Sequence, residues 1–189
     1  MKKLVGSFAL VAVAAAFAGA GAQAAPATHR AQATDARAWA TQVCSSVGAW
    51  QKQLQRRSAA LNHVKAGDLP GLKRQLVSFL SGVVGDTDVL VTAVDRAGAP
   101  SVPHGSDIQR LLHDGFAQTR SYFVEDVATA KLLPVSSPSK FAAGAAALGK
   151  AIGRQGNLIG AAFDRIDKRY GSTQLDGAIK PVAACAALG

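Results

Sequence analysis

Little of the chemistry that catalysis usually requires is present in this 189-residue sequence. It has two cysteines, four histidines and a single glutamate, Glu125. The histidines show no spacing that would bring two of them to one metal ion. Asp86 and Asp88 are two positions apart, so on a helix their carboxylates point in different directions and form a poor acid–base pair. These absences predict a protein that is not an enzyme and that uses no metal or cofactor.

Two partial motifs resemble functional sites without completing them. The segment 144–150 has the glycine and lysine spacing of a phosphate-binding loop, but Ala151 stands where Ser or Thr would hold magnesium. That segment also falls within a predicted helix, where no backbone nest can form. His104, Ser106 and Asp107 are triad residue types, but as chain neighbours they are typical of a loop and a helix cap. We therefore interpret neither motif as a site.

Acidic residues are also scarce relative to basic ones. Twelve Asp and Glu against 21 Lys and Arg give a net charge of +9. No block of Lys and Arg is dense enough to form a nucleic-acid-binding arm. A basic surface attracts polyanions and anionic membranes, but net charge also maintains solubility. Charge alone therefore leaves the partner open, with an anionic envelope polymer or another protein as the two expectations.

The first 24 residues have the three parts of a secretory signal peptide. Residues 1–3 are short and basic, residues 4–21 are apolar and uncharged, and residues 22–24 form a small-x-small cleavage site. The alternative is a membrane anchor, but three glycines interrupt an alanine-rich run that is a poor match to a membrane span. We expect cleavage after Ala24 and a mature protein that is secreted or held in the extracytoplasmic envelope, not transmembrane.

The mature part would be one domain stapled by one disulfide. Cleavage would remove 24 of the 189 residues and leave a length suited to a single domain. Cys44 and Cys185 are expected to pair in an oxidising compartment, with free thiols or half of a metal site as the alternatives. The closed loop would contribute roughly 5 kcal/mol of stability on the chain-entropy model.

Periodicity predicts helices throughout the mature chain. Residues 25–33 form an aperiodic leader that we expect to be disordered, and residues 34–189 form the domain. Four amphipathic segments follow one another, with apolar residues at steps of three and four. They are joined by short loops, which favours an all-α antiparallel up-down-up-down four-helix bundle with a short C-terminal helical tail. No strand pattern competes.

Two charged residues interrupt the apolar seams of the first and third helices. Arg57 lies on the first helix, and Asp126 is in line with the apolar residues of the third. These two helices would run in the same direction, so the charges would lie at nearly the same height. We predict a partly buried ion pair between Arg57 and Asp126, either as a structural pair that fixes register or as a ligand site.

A second polar layer is expected near the middle of the bundle. Buried polar groups must find hydrogen-bond partners, so this layer would bond internally, to water or to a ligand. A satisfied core layer and a small internal cavity are both open interpretations. The layer consists of Asp86, Thr87, Thr119 and Gln155.

Two stripes mark the last long helix. Gly149, Gly153, Gly156 and Gly160 share one stripe, which predicts close approach of another helix from the same bundle or from a second copy. Basic residues share another stripe, opposite the apolar seam, and together with two on the first helix would form an anion-binding surface or a solvated face partly neutralised by Asp164. The basic surface comprises Lys52, Arg56, Lys150, Arg154, Arg165 and Lys168.

The chain also resembles a group of proteins. The aromatic-x₄-Cys-x₅-aromatic start at Trp39, Cys44 and Trp50, the helical body and the closing Pro181-Val-Ala-Ala-Cys185 are similar to uncharacterised small secreted helical proteins of actinobacteria. The resemblance implies export, a helical bundle and a disulfide, and implies no activity.

The leading functional hypothesis from the sequence is a secreted, non-enzymatic interaction module with a basic surface. The first alternative is a carrier that holds a small ligand between its helices, in a cavity of ~300 Å³ or more lined by Asp86, Thr119 and Gln155. The second alternative is an enzyme whose site the sequence hides, which would show an open cleft with convergent titratable groups.

Overall fold

A computed structural model of the chain describes residues 33–61 and 67–188, with all side chains in these ranges except those of residues 60, 156–159 and 162. The predicted signal peptide and all but the last residue of the predicted leader lie outside the described ranges. The described part of the chain is helical and contains no strand, which confirms the all-α class. Its helices are α1 (Ala36–Ala60), α2 (Leu69–Ala97), α3 (Gly105–Lys131), α4 (Pro138–Tyr170), α5 (Thr173–Ile179) and α6 (Ala183–Ala186).

Side-chain caps define where most of these helices begin. The carboxylate of Asp35 accepts hydrogen bonds from two amides of the first turn of α1, and Asp68 accepts from the Gly71 amide at 2.8 Å. Ser137 caps α4, and Ser172 caps α5. Each cap satisfies amide groups that have no partner inside their own helix.

The start of α3 differs from the helix cap expected around Ser106 and Asp107. The N-cap is His104, which adopts a left-handed backbone conformation (φ 60°) and makes no side-chain cap. Gly105 then begins the helix, and a Cβ at this position would lie 1.9 Å from the Pro100 carbonyl oxygen. The close approach of the loop therefore fixes the start of α3 at a glycine, two residues before Asp107.

The core forms between helices that follow each other in the chain. α2 packs against α1 and α3, and α3 packs against α4. The shorter α5 and α6 pack against α1, so the C-terminal tail returns to the first helix. Among the described residues, α1 and α4 are not an extensively packed pair. Fully buried side chains at the centre include Leu80, Val83, Leu90, Ile108, Leu112 and Phe116.

The predicted pairing of Cys44 with Cys185 is present in the structure. Their Cα atoms are 4.9 Å apart, and the bond joins positions 141 residues apart in sequence. It ties the short α6 to the middle of α1. No other cysteine occurs in the sequence, so the disulfide accounts for the whole cysteine content.

Candidate functional site: an apolar cavity beside α1

A cavity of about 640 Å³ lies beside α1. Residues from α1, α3, α4, α5 and α6 surround it, as does Leu188, which follows α6. Its volume falls within the ~300–1,000 Å³ range of small-molecule sites. The lining consists of Trp39, Val43, Cys44, Val47, Trp50, Gln51, Leu54, Leu112, Gly160, Phe163, Ile166, Leu175, Ile179, Cys185 and Leu188.

The cavity exists because α4 does not close onto α1. The C-terminal tail lies against α1 instead, held by the disulfide, whose two cysteines both line the cavity. Leu188 extends this wall, and a Cβ at Gly48 would be 3.7 Å from its side chain. On the α4 side, the ring of Phe163 packs edge-on against Phe116, with ring centroids 6.2 Å apart. The short tail, packed against α1, and the Phe163 side of α4 therefore both border the cavity.

The inner surface of this cavity is mostly apolar. Both tryptophans of the protein contribute to it. The indole nitrogen of Trp50 donates a buried hydrogen bond of 3.1 Å to Thr87, and that of Trp39 donates to Gln109 at 3.4 Å. Because both indole N–H groups already have partners, Gln51 is the one lining side chain with free hydrogen-bonding capacity. Among the described residues that line the cavity, none has an ionisable side chain.

The cavity is not where the sequence placed a carrier site. Asp86, Thr119 and Gln155 were expected to line it, and none of them does. Asp86 borders a separate opening of about 270 Å³ between α1 and α2. Thr119 donates to the Gly115 carbonyl oxygen of its own helix at 2.9 Å, and Thr87 donates to that of Val83 at 2.8 Å. Within the polar layer, only these two threonine hydroxyls donate inside their own helices, whereas Asp86 binds Arg57 of α1 and Gln155 lies beside Asp126 of α3. Asp86, Thr119 and Gln155 therefore do not converge on one cavity among the described residues.

The predicted ion pair between Arg57 and Asp126 is wrong. Arg57 binds Asp86 of α2 in a two-pronged contact, with one Nη2–Oδ1 distance of 3.0 Å, and this hydrogen bond raises the pKa of Arg57. A Cβ at Gly82 would lie 2.1 Å from the guanidinium nitrogen Nη1. The absence of a side chain at Gly82 therefore leaves room for the Arg57 guanidinium against α2. The Arg57–Asp86 ion pair is partly exposed.

Asp126 is buried and forms an ion pair with no cation among the described residues. Its side chain is 5 % exposed, and desolvation raises the pKa of Asp126 while a hydrogen bond with Gln155 opposes that rise. Among the described residues, neither Asp126 Oδ2 nor Gln155 Oε1 has a hydrogen-bond partner. A proton on the carboxyl group would give this pair the donor that it lacks.

The glycine stripe of α4 does not contact another helix in the described structure. Gly149, Gly153 and Gly160 are exposed, and a Cβ at any of them would meet nothing within 4 Å. The prediction of a close approach within the same bundle is therefore wrong for these three. The side chain position of Gly156 lies outside the described residues. Gly160 borders the cavity, so there the absence of a side chain leaves room.

All six residues of the predicted basic surface are exposed. Within the described part of the chain, none of them makes an ion pair, and the expected neutralising contact between Asp164 and Lys168 is not formed. On α4 these residues lie on the side of the helix roughly opposite Phe163, at about 100° per residue. The basic surface and the cavity are therefore separate features.

Sequence reasoning missed the cavity, although one signal of it was present. The apolar residues of α1 cover a wider face than contact with α2 requires, since Val43, Val47 and Leu54 extend it away from that helix. The unused part of this face forms the cavity wall. Both tryptophans belong to the same face, and large aromatic residues are frequent in binding sites.

The described residues contain no cluster of metal-ligating side chains. Among the described helices, α2 alone is long and apolar enough to cross a membrane by length and composition, a test that core helices of soluble proteins also pass. α2 supplies core residues between α1 and α3. No family model, curated protein or solved structure matches this chain.

Proposed function

We propose that this chain is an exported, non-enzymatic binding protein that holds a small apolar molecule in the cavity beside α1. The observation that carries the proposal is the cavity itself: about 640 Å³ of mostly apolar space, bordered by five helices. Filling such a space with an apolar guest is favourable by roughly 25 cal/mol per Å² of apolar surface removed from water. No step of chemistry is needed for this function.

The proposal includes an up-down-up-down arrangement of the four long helices. Contacts that support it join Trp50 with Thr87 between α1 and α2, and Gln109 with Val94 between α2 and α3. The α3–α4 contact joins Phe116 with Phe163. In this arrangement α4 would return beside α1, and the C-terminal tail would keep the two apart.

Export is part of the same proposal. The basic, apolar and small-residue segments of positions 1–24 support it, as does a disulfide, which persists in oxidising compartments. The resemblance to small secreted helical proteins points in the same direction. We place the mature protein outside the cytoplasm, secreted or in the cell envelope.

The two tryptophans allow a direct test of binding. The mature protein would be titrated with 1-anilinonaphthalene-8-sulfonate while tryptophan emission is followed, because both indoles line the cavity. We expect saturable one-to-one binding with energy transfer from tryptophan to the probe. A matched control replaces Val89 and Leu132 with Ser, since these are exposed apolar residues elsewhere, 71 % and 81 % accessible. Loss of binding in this control, or no saturable binding in the native protein, would contradict the proposal.

A second candidate function uses the basic surface. Its six side chains are exposed and make no ion pair among the described residues, so they are available to an anionic envelope polymer or an acidic protein. Binding to a polyphosphate probe should weaken as salt concentration rises. Replacing Lys150 and Arg154 with Glu should abolish it and leave cavity binding unchanged. Affinity that is insensitive to salt would remove this candidate.

A further inference from the structure

The wall of the cavity on α1 is long enough for an extended hydrocarbon chain to lie along it. This wall runs from Trp39 to Leu54. These positions are fifteen residues apart, which at ~1.5 Å per residue is roughly 22 Å along the helix. A compact aromatic guest would use only part of that length, whereas a flexible hydrocarbon chain could contact all of it.

The mostly apolar lining of the cavity favours a ligand that has no polar groups along the part that enters it. The two indole N–H groups donate to Gln109 and Thr87, and among the described lining residues Gln51 has the one remaining polar side chain. A charged or hydroxylated segment inside the cavity would lose its hydration without gaining partners. Any polar head of the guest must therefore remain at the opening, in contact with water.

The net positive charge of the protein favours one sign for that head. The full chain has a net charge of +9, and the proposed cleavage of residues 1–24 would leave a net charge of +7. A field of this sign attracts anions from solution and repels cations. An anionic head therefore complements the protein, whereas a quaternary ammonium head does not.

We propose that the cavity binds the hydrocarbon chain of a single-chain anionic amphiphile, such as a long-chain carboxylate, with its head in solvent. This inference rests on the proposed binding function and specifies its ligand class. The disulfide lies beside the path of the hydrocarbon chain, because both of its cysteines contribute to the cavity wall. Gly160 forms part of the opposite side, where a Cβ would meet nothing within 4 Å.

The test is a series of straight-chain carboxylates of increasing length, measured by displacement of 1-anilinonaphthalene-8-sulfonate below the micelle concentration. Each added methylene that enters the cavity should lower Kd about fourfold, which corresponds to ~0.8 kcal/mol per buried methylene. The decrease should stop once the chain fills the cavity. Alcohols and trimethylammonium compounds of the same length should bind more weakly than the carboxylate.

Failure of this inference can be told apart from failure of the proposed function. If the probe binds but carboxylates do not displace it, or if their affinity shows no dependence on length, the ligand class is wrong and the binding function stands. Equal binding of the cationic amphiphile would overturn the assignment of the anionic head. If neither probe nor carboxylates bind, the binding function itself is wrong.

A substitution at Gly160 tests the location. Gly160→Leu should project a side chain into the cavity, weaken long-chain carboxylates at least tenfold and move the optimum to shorter chains. Gly149→Leu is the matched control, because Gly149 is an exposed glycine of the same helix that does not border the cavity. Circular dichroism and Tm establish that both variants are folded. Unchanged affinity in a folded Gly160→Leu protein would overturn the proposed site.

Discussion

Removal of the disulfide should have the largest effect of any surface-accessible change in this protein. Replacement of both Cys44 and Cys185 by Ser frees a loop of 141 residues. The chain-entropy model gives a loss of about 5 kcal/mol in the free energy of unfolding. Small domains have total stabilities of ~5–15 kcal/mol, so the loss is a third or more of the whole.

The effect should begin at the C-terminal tail. α6 has four residues, none of them buried, and both α5 and α6 pack against α1. Once the disulfide is absent, this tail retains contacts such as those of Leu175 and Val182 with the core. Hydrogen exchange should therefore accelerate in residues 173–188 before it does so in α2. Because the tail forms one wall of the cavity, apolar ligands should also bind more weakly.

Equilibrium denaturation with and without a dithiol reductant measures this effect. We expect reduction to lower the stability of the native protein by about 5 kcal/mol, and to leave the double serine variant unchanged. A loss smaller than ~1 kcal/mol would show that the native contacts of the tail suffice to hold it and would refute the entropic reasoning. Uniform exchange across all helices would refute the local origin of the effect.

Three further predictions concern individual side chains. A double-mutant cycle on Arg57→Ala and Asp86→Ala, measured by urea denaturation, should give a coupling free energy of only ~0.5–1 kcal/mol, because the Arg57 side chain is 38 % exposed. A coupling near zero would mean that the ion pair is not maintained in solution. Burial raises the pKa of Asp126, so native stability should fall as pH rises through the interval between its unfolded and folded pKa values. Asp126→Asn should remove that fall and add ~1 kcal/mol at neutral pH, because its amide can donate to Gln155; a less stable variant at pH 7 would argue for a bound cation. Gly149→Ala should raise stability by up to ~1 kcal/mol as judged by Tm, whereas a decrease would show that a partner chain covers this stripe.

The helices could be read from the sequence because each rests on local patterns. Apolar steps of three and four indicated α1 to α4, and the residues that cap α2 and α4 in the structure, Asp68 and Ser137, are local signals of the same kind. The pairing of Cys44 with Cys185 could be predicted because they are the two cysteines of the chain and cysteines usually pair in an oxidising compartment. The start of α3 was missed because it depends on the approach of Pro100 to Gly105, which brings together residues that no local pattern connects.

The partners of the charged residues could not be predicted from the periodicity of apolar residues alone. Height along a bundle placed Asp126 level with Arg57, but height does not determine which helix offers space. Gly82 supplies that space on α2, and Asp86 lies one turn further along the same helix. Asp126 interacts with Gln155 instead. The sequence pattern placed these two residues in different groups, Asp126 in the ion pair and Gln155 in the polar layer.

The cavity was hidden for a related reason. An apolar seam shows which face of a helix avoids water, but it does not show whether another helix fills the space in front of it. The seven residues of α5 and the four of α6 carried too little periodicity to reveal that they would lie against α1. The glycine stripe was assigned to helix packing, whereas Gly160 borders open space.

The most direct test of the binding cavity is isotope-filtered NMR of the mature protein with a long-chain carboxylate. We predict nuclear Overhauser contacts from the alkyl protons of the bound carboxylate to the indole rings of Trp39 and Trp50 and to the methyl groups of Leu54, with no contacts to Val89 or Leu132. Contacts confined to exposed apolar residues, or to the basic side chains of α4, would contradict the account.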